Sequence, residues 1–467
     1  MSDKRGGAMN IYAIVLAAGK GTRMKSNLPK VAHVVLYKPM IKHICDELKK
    51  METSETIAVI GHGKEVIRKI MKDEVSYVEQ NEQLGTGHAV KMTAPILEDK
   101  EGITLVINGD APLLRKETLE ALIQVHQENK NQATLLTAHC DTSKSFGRIL
   151  RNAQGDVDAI VEVKDASSEQ LAITEMNTGI YCFDNLLLFE ALKQVTNDNA
   201  QKEYYITDVV KILNQMGKKV GSCVISDFDE VGGINDRVEL AKAQKKLQLR
   251  VNHELLLNGV TILDPENTYI ARDVEIGQDT IIEPGCIIKG NSVIGQNCHI
   301  GPYCEFDNVI IKDNVEIKFS VLSDSVIESG VDIGPYARLR KDCHILENVH
   351  MGNFVEMKNT TFGVGSKCAH LSYIGDAVVG KDVNIGCGTI TSNYDGKNKF
   401  KTIIKDNVFV GCNSNLVAPV TLESGAYVAA GSTITETVPE DAFAIARERQ
   451  VTKEEYAKVL KEKRERK

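Results

Sequence analysis

Residues 270–306 read IARDVEIGQDTIIEPGCIIKGNSVIGQNCHIGPYCEF, and in them Ile270, Ile276, Ile282, Ile288, Ile294, Ile300 and Phe306 fall at intervals of six. Ile327, Ile333, Leu339, Ile345, Met351 and Met357 keep the interval in a second frame, and Ile404, Val410, Leu416, Leu422, Val428 and Ile434 in a third. Four residues after most of these stands a small or β-branched residue, such as Val274, Thr280, Cys286, Ser292, Cys298, Cys304 or Cys343. A helix cannot hold a six-residue period on one face, because its turn is about 3.6 residues. A coil with three flat faces can, with one hexapeptide per face and one large residue pointing inward from each. The period predicts a parallel β-helix over about residues 260–438. Cys298 and Cys304 sit at the coil period, so packing inside the coil explains them without a metal.

Upstream the pattern changes. Residues 11–18 (IYAIVLAA) read as a buried strand closed by the glycine-rich GKGTRM. Further apolar runs at 57–60, 104–107, 133–138 and 179–183 alternate with helical patterns at 39–50 and 116–128, which predicts an α/β domain with a mostly parallel sheet. Residues 236–258 read as one connecting helix with Val238, Leu240, Leu247, Val251 and Leu255 as its apolar stripe and Gly259 ending it. The expected division is an α/β domain over 1–235, the connector over 236–258, and a β-helix with a charged C-terminal tail over 259–467. The first eight residues read as disordered or as an extension before an alternative start at Met9.

Composition excludes several classes. A net charge of −8 gives no basic footprint for nucleic acid. No apolar run approaches a membrane span. Eleven cysteines without a signal-type leader point to a reducing, cytoplasmic setting.

Leu16, Ala17, Ala18 and Gly19 close the first strand, where parallel sheets meet their ligands. Glycine backbone there approaches phosphate oxygens, and Lys20, Arg23 and Lys30 offset their charge. The spacing is neither a P-loop nor G-x-G-x-x-G. A buried strand ending at Asp110 sets a carboxylate where Mg²⁺ would bridge nucleotide phosphates. Asn235 either supplies a second oxygen to that ion or caps the connector helix. Gln80 either pairs with a uracil edge or is an exposed loop amide. In the repeats, Arg338, Lys358, His370 and Tyr373 add polar groups a plain coil does not need. His370 offers a general base with a phenol close by, and Arg338 and Lys358 a phosphate site. Residues 393–399 (NYDGKNK) are too polar for a coil face and read as a loop leaving it.

These motifs carry a resemblance. LAAGKGTRM with Pro29-Lys30, Gln80 with LGTGHA, NGDAP around Asp110, then Gly147-Arg148, Glu162, Asn177-Thr178-Gly179 and Gly233-Ile234-Asn235 resemble the ordered signature of sugar-nucleotide pyrophosphorylases. Joined to the cluster around His370, they resemble the bifunctional bacterial N-acetylglucosamine-1-phosphate uridyltransferase / glucosamine-1-phosphate N-acetyltransferases over residues 10–450. The resemblance implies a Rossmann-like nucleotidyltransferase domain followed by a left-handed parallel β-helix. It implies a uridyl site of Leu16, Ala17, Ala18, Gly19, Arg23, Lys30, Gln80, Gly85, Thr86, Gly147, Glu162, Asn177 and Asn235, with Mg²⁺ on Asp110 and Asn235. It further implies His370 as the acetyl-transfer base, Arg338, Lys358, Tyr373 and Asn384 on the sugar phosphate, and Cys387, Asn393, Tyr394, Cys412, Ala430 and Arg447 toward coenzyme A. Acetyl-CoA and UTP would be co-substrates and the assembly a homotrimer, with no nucleic-acid or membrane partner. The chain departs from the family pattern at Asn108 (usually tyrosine), Cys387 (alanine), Cys412 (serine) and Asp236 (asparagine). A hexose-type nucleotidyltransferase with a merely structural coil, or a non-catalytic scaffold, leaves the His370 cluster unexplained.

Overall fold

The structure, a computed structural model, describes residues 9–141 and 146–466. The expectation for residues 1–8 lies outside them. The chain divides into two compact units between Leu247 and Gln248, inside the helix Arg237–Leu257.

Among the described residues the first unit holds a nine-stranded sheet. Its central strand, Ile11–Ala17, pairs in parallel with Glu55–Ile60 on one side and Ile103–Asn108 on the other. Side chains alternate along it. Ala13, Val15 and Ala17 face one core, while Tyr12 and Ile14 face the other, the two-residue period of a strand buried on both faces. The sheet is mixed, because Glu175–Asp184 runs antiparallel to both its neighbours. The carboxyl ends of the parallel strands lie at Ala17, Ile60, Glu79 and Asn108, and the loops leaving them build the first site.

The helix Arg237–Leu257 is capped by Asp236, whose carboxylate accepts the Val238 and Glu239 amides at 2.9 Å each. Asn235 is therefore not the cap, and aspartate serves as well there as asparagine. Val238 is 65% exposed and does not belong to the apolar stripe, which runs Ala243, Leu247, Val251 and Leu255. At about 100° per residue Val238 points well away from Ala243. Gly259 (φ +90°) ends the helix in a Schellman turn, with Val260 N–H on Leu255 O at 3.1 Å and Gly259 N–H on Leu256 O at 3.2 Å.

The second unit is a left-handed parallel β-helix, whose strands pair with the third strand onward. Ile270 pairs with Ile288, Ile276 with Ile294 and Ile282 with Ile300, a coil of 18 residues. Ile270, Ile282, Ile288, Ile294 and Ile300 are almost wholly buried, while Ile276 is only partly so, and full burial of such a side chain stabilises by roughly 1.5–3 kcal/mol. The frame breaks where corners shorten. Phe306 pairs with Leu322 and Ile311 with Ile327, a coil of 16. It breaks again where 393–399 leaves the coil, so that Val379 pairs with Ile404, 25 residues on. The small slot holds Cys286, Cys298, Cys304 and Cys343, all buried and unbridged. The serines and threonines in that slot hold the corners: Ser292 Oγ donates to Lys289 O at 2.7 Å and accepts from Val309 N–H at 3.1 Å. The coil runs past the expected end at 438, since Phe443–Ala444 pairs with Tyr427–Val428. Phe443 stacks on Tyr427 and Tyr427 on Phe409, which holds the extra strand to the outer face. The charged tail forms an exposed helix, Tyr456–Glu465. Among the described residues no helix is long and apolar enough to cross a membrane.

Candidate functional sites on the two units

A cleft of about 260 Å³ opens at the carboxyl ends of the parallel strands. Leu16, Ala17, Ala18 and Gly19 line one wall, Gln80, Gly85 and Thr86 another, and Lys30 with Asp110 the floor. Gln83, Asn108 and Glu203 line it as well. Gln83 carries no motif signal of its own and was missed in the sequence. Gly85 adopts φ +112°, and a Cβ there would lie 2.5 Å from the Tyr204 carbonyl, so only glycine lets the 203–207 segment close this wall.

Gln80 is 3% exposed, which excludes a free loop amide. Its amide nitrogen reaches Gly85 O and His88 Nδ1, each at 3.0 Å. Both hydrogen bonds use the nitrogen and leave the carbonyl oxygen as the acceptor for a ligand.

Lys30 is the centre of the charged end. Its ammonium pairs with the Asp110 carboxylate and donates to Asn235 Oδ1 at 2.8 Å. Arg23 Nη2 reaches the same Asn235 oxygen at 2.8 Å. The Ile234 amide donates to Asp110 O at 3.0 Å, which ties the two candidate metal residues together through the backbone. Asp110 Oδ1 is buried with no hydrogen-bond partner among the described residues. A buried carboxylate oxygen without a donor is the place for a cation, and one carboxylate plus one amide oxygen suits Mg²⁺, which takes its other ligands from phosphates and water. The described residues hold no cluster of three or more His, Cys, Asp or Glu side chains spaced for a metal.

Gly147, Asn177 and Glu162 do not line the cleft itself. The Asn177 amide donates to Gly147 O at 2.8 Å, and its side chain to Tyr181 Oη at 2.8 Å. Burial pushes the Glu162 carboxyl above its usual range, against a long hydrogen bond from Thr207 at 3.4 Å, and Asp165, Asp208 and Glu203 push it further the same way.

On the second unit, Arg338, Glu356 and Tyr373 stand in register on three successive coils of one face. Lys358 leads the same strand end. Its amine meets that of Lys399, and this side-chain contact is the chief cause of a lowered Lys358 pKa, followed by desolvation and then by the Lys399 charge. Lys399 was not singled out by sequence reasoning, because it lies at the end of the excursion from the coil. Asn393 is 8% exposed and bonds to the Asp376 carboxylate, so its side chain anchors the root of that loop. Tyr394 is exposed, with its hydroxyl on Gly396 O at 2.6 Å.

His370 is exposed at a coil corner, and its Nδ1 lies 3.1 Å from Asn353 Oδ1 on the preceding coil. Cys387, Cys412 and Ala430 continue that corner line on later coils, and Arg447 packs beside Gly431 at its end. Asn384 is not brought to the Arg338–Tyr373 face. It stands on the strand column of Lys367 and Phe409, on the other side of the His370 corner.

A family profile described as Nucleotidyl transferase matches residues 12–246, and one described as GMPPB C-terminal domain matches 266–346. A curated protein named Bifunctional protein GlmU, from Exiguobacterium sibiricum, is 51% identical over 448 residues, covering 96% of this chain and 100% of that protein. Proteins of the same name from Bacillus subtilis and Shouchella clausii are 52% and 50% identical, covering 97% and 96% of this chain and 99% and 98% of their own lengths. Such matches run nearly end to end and take in both units at once, and the chain therefore belongs to the family of bifunctional GlmU proteins.

Proposed function

We propose a division of labour between the two units of this enzyme. The chain makes UDP-N-acetylglucosamine, a cell-envelope precursor, in two steps. Acetyl passes from acetyl-CoA to glucosamine 1-phosphate, and uridylyl then passes from UTP to N-acetylglucosamine 1-phosphate with release of pyrophosphate.

Acetyl transfer belongs to the β-helix. Asn353 Oδ1 accepts from His370 Nδ1–H and leaves Nε2 free as the base. His370 takes a proton from the substrate amine, the nitrogen attacks the thioester carbonyl, and the coenzyme A thiolate leaves. Arg338, Lys358 and Lys399 hold the sugar phosphate, which relieves the contact between the two ammonium groups. Tyr373 orients the sugar from the same face. Cys387, Cys412, Ala430 and Arg447 form the line along which coenzyme A lies, with Tyr394 on the loop above it. Asn384 looks away from this face, and a neighbouring copy in a homotrimer would present it to the site. Flat coil faces suit such packing.

Uridylyl transfer belongs to the α/β unit. Gln80 pairs through its carbonyl oxygen with uracil N3–H. Leu16–Gly19 backbone and Thr86 hold the nucleotide, and Gly147, Glu162 and Asn177 the sugar. Asp110 and Asn235 would hold Mg²⁺, which would supply positive charge against the nucleotide phosphates. Arg23 and Lys30 counter the charge on departing pyrophosphate. The setting is the cytoplasm.

The observation that carries these roles is that the residues for each half-reaction gather on one unit alone. An assay with glucosamine 1-phosphate, acetyl-CoA and UTP, reading thiol and pyrophosphate separately, tests them.

A further inference from the structure

Cys387 and Cys412 occupy equivalent corners of adjacent coils. The strands before them pair Ile385 with Val410, and the Asn413 amide donates to Cys387 O at 2.7 Å just after them. Each cysteine precedes a left-handed residue, Gly388 at φ +75° and Asn413 at φ +56°, so the two corners turn alike. Neighbouring strands lie about 4.8 Å apart, within the roughly 4.4–6.8 Å between Cα atoms that a disulfide spans. Both thiols are free, Cys387 partly exposed and Cys412 exposed, whereas the other cysteines of this unit are buried. One coil below Cys387, on the same line, stands His370.

We propose that Cys387 and Cys412 form an oxidative modification site, a thiol pair that hydrogen peroxide converts to a disulfide and that thereby blocks the coenzyme A line. The consequence for activity rests on the acetyl-transfer roles given above; the chemistry of the pair does not. One thiolate attacks a peroxide oxygen, the O–O bond breaks, and a sulfenic acid and a water result. The sulfur of the second cysteine then displaces the hydroxyl, the S–O bond breaks, the S–S bond forms, and a second water leaves. Two thiols lose two electrons and two protons, and one peroxide becomes two waters.

The test treats the full-length protein with hydrogen peroxide, blocks remaining thiols by alkylation, and maps peptides without reduction. Acetyl and uridylyl transfer are followed in parallel, and each variant is compared with its own untreated rate. The expected result is a peptide pair linked between Cys387 and Cys412, with wild-type acetyl transfer falling roughly tenfold and returning with dithiothreitol. Cys387→Ala and Cys412→Ser would each keep most of their own untreated rate, and uridylyl transfer would hold throughout. Separate sulfinic acids with no linked pair would overturn the thiol pair. A linked pair with undiminished acetyl transfer would overturn the block. Absence of any acetyl transfer before treatment would instead count against the acetyl-transfer roles, while the peptide map still decides the pair.

Discussion

Asn353 Oδ1 lies 3.1 Å from His370 Nδ1, across two adjacent coils of the β-helix. An amide oxygen can only accept, so this contact is a hydrogen bond in the tautomer with its proton on Nδ1, which leaves the Nε2 lone pair for the substrate. Asn353→Ala removes the acceptor and frees both the tautomer and the ring. Acetyl transfer should fall roughly tenfold or more, with the acid limb of kcat/KM displaced. A merely structural Asn353 would lower the amount of folded protein and leave that limb where it was.

Lys358 and Lys399 hold two ammonium groups together, with the Lys358 pKa lowered chiefly by Lys399. An anion between them removes that repulsion. Lys399→Ala should raise the KM for glucosamine 1-phosphate roughly tenfold or more, by loss of a charge-assisted hydrogen bond, with a smaller change in the KM for acetyl-CoA. In the same variant the Lys358 ammonium should titrate at higher pH, as followed by NMR of labelled lysine. An unchanged KM would remove Lys399 from the phosphate site.

Glu162 has its carboxyl pushed up by burial. A folded pKa above the unfolded one favours the folded state only at low pH, and that favour is lost as pH rises through the folded pKa. At neutral pH the buried charge therefore costs stability. Glu162→Gln should raise the melting temperature of the first unit by about 2–4 °C at pH 7, the size of an effect near 1 kcal/mol. The gain should shrink as pH falls toward 4. Uridylyl transfer should drop in the same variant. A melting point that falls at pH 7 would contradict the sign.

Asn384 stands on a different face from Arg338 and Tyr373. If neighbouring copies complete the site, light scattering should give three times the mass of one chain. Lys358→Ala and Asn384→Ala, each weak alone, should regain part of the acetyl activity when unfolded and refolded together. A monomer with full acetyl transfer contradicts a shared site.

The hexapeptide period was legible because every inward residue must be large and every third face repeats. The frame shifts were not. Shortening a corner between Phe306 and Ile327 changes the coil from 18 to 16 residues without altering composition. The Asp236 cap was written in the chain as aspartate three residues before Glu239, and Glu239 Oε2 accepts the Asn235 amide at 2.7 Å. That frees the Asn235 side chain for Arg23 and Lys30. Lys399 stayed hidden because a lysine in a polar loop looks like any other until the fold returns it to Lys358. Val238 entered the expected stripe by its apolarity alone, and its helical angle excludes it.

The most direct test separates the two half-reactions in one chain. Asp110→Asn weakens the cation site, whose Oδ1 has no hydrogen-bond partner among the described residues, and His370→Ala removes the base. Pyrophosphate release from UTP with supplied N-acetylglucosamine 1-phosphate, and thiol release from acetyl-CoA with glucosamine 1-phosphate, are measured on both variants. Asp110→Asn should abolish most pyrophosphate release and leave thiol release near wild type. His370→Ala should lower thiol release by roughly 10²–10⁴-fold and leave pyrophosphate release unchanged. A folded variant that loses both activities together would contradict two independent sites.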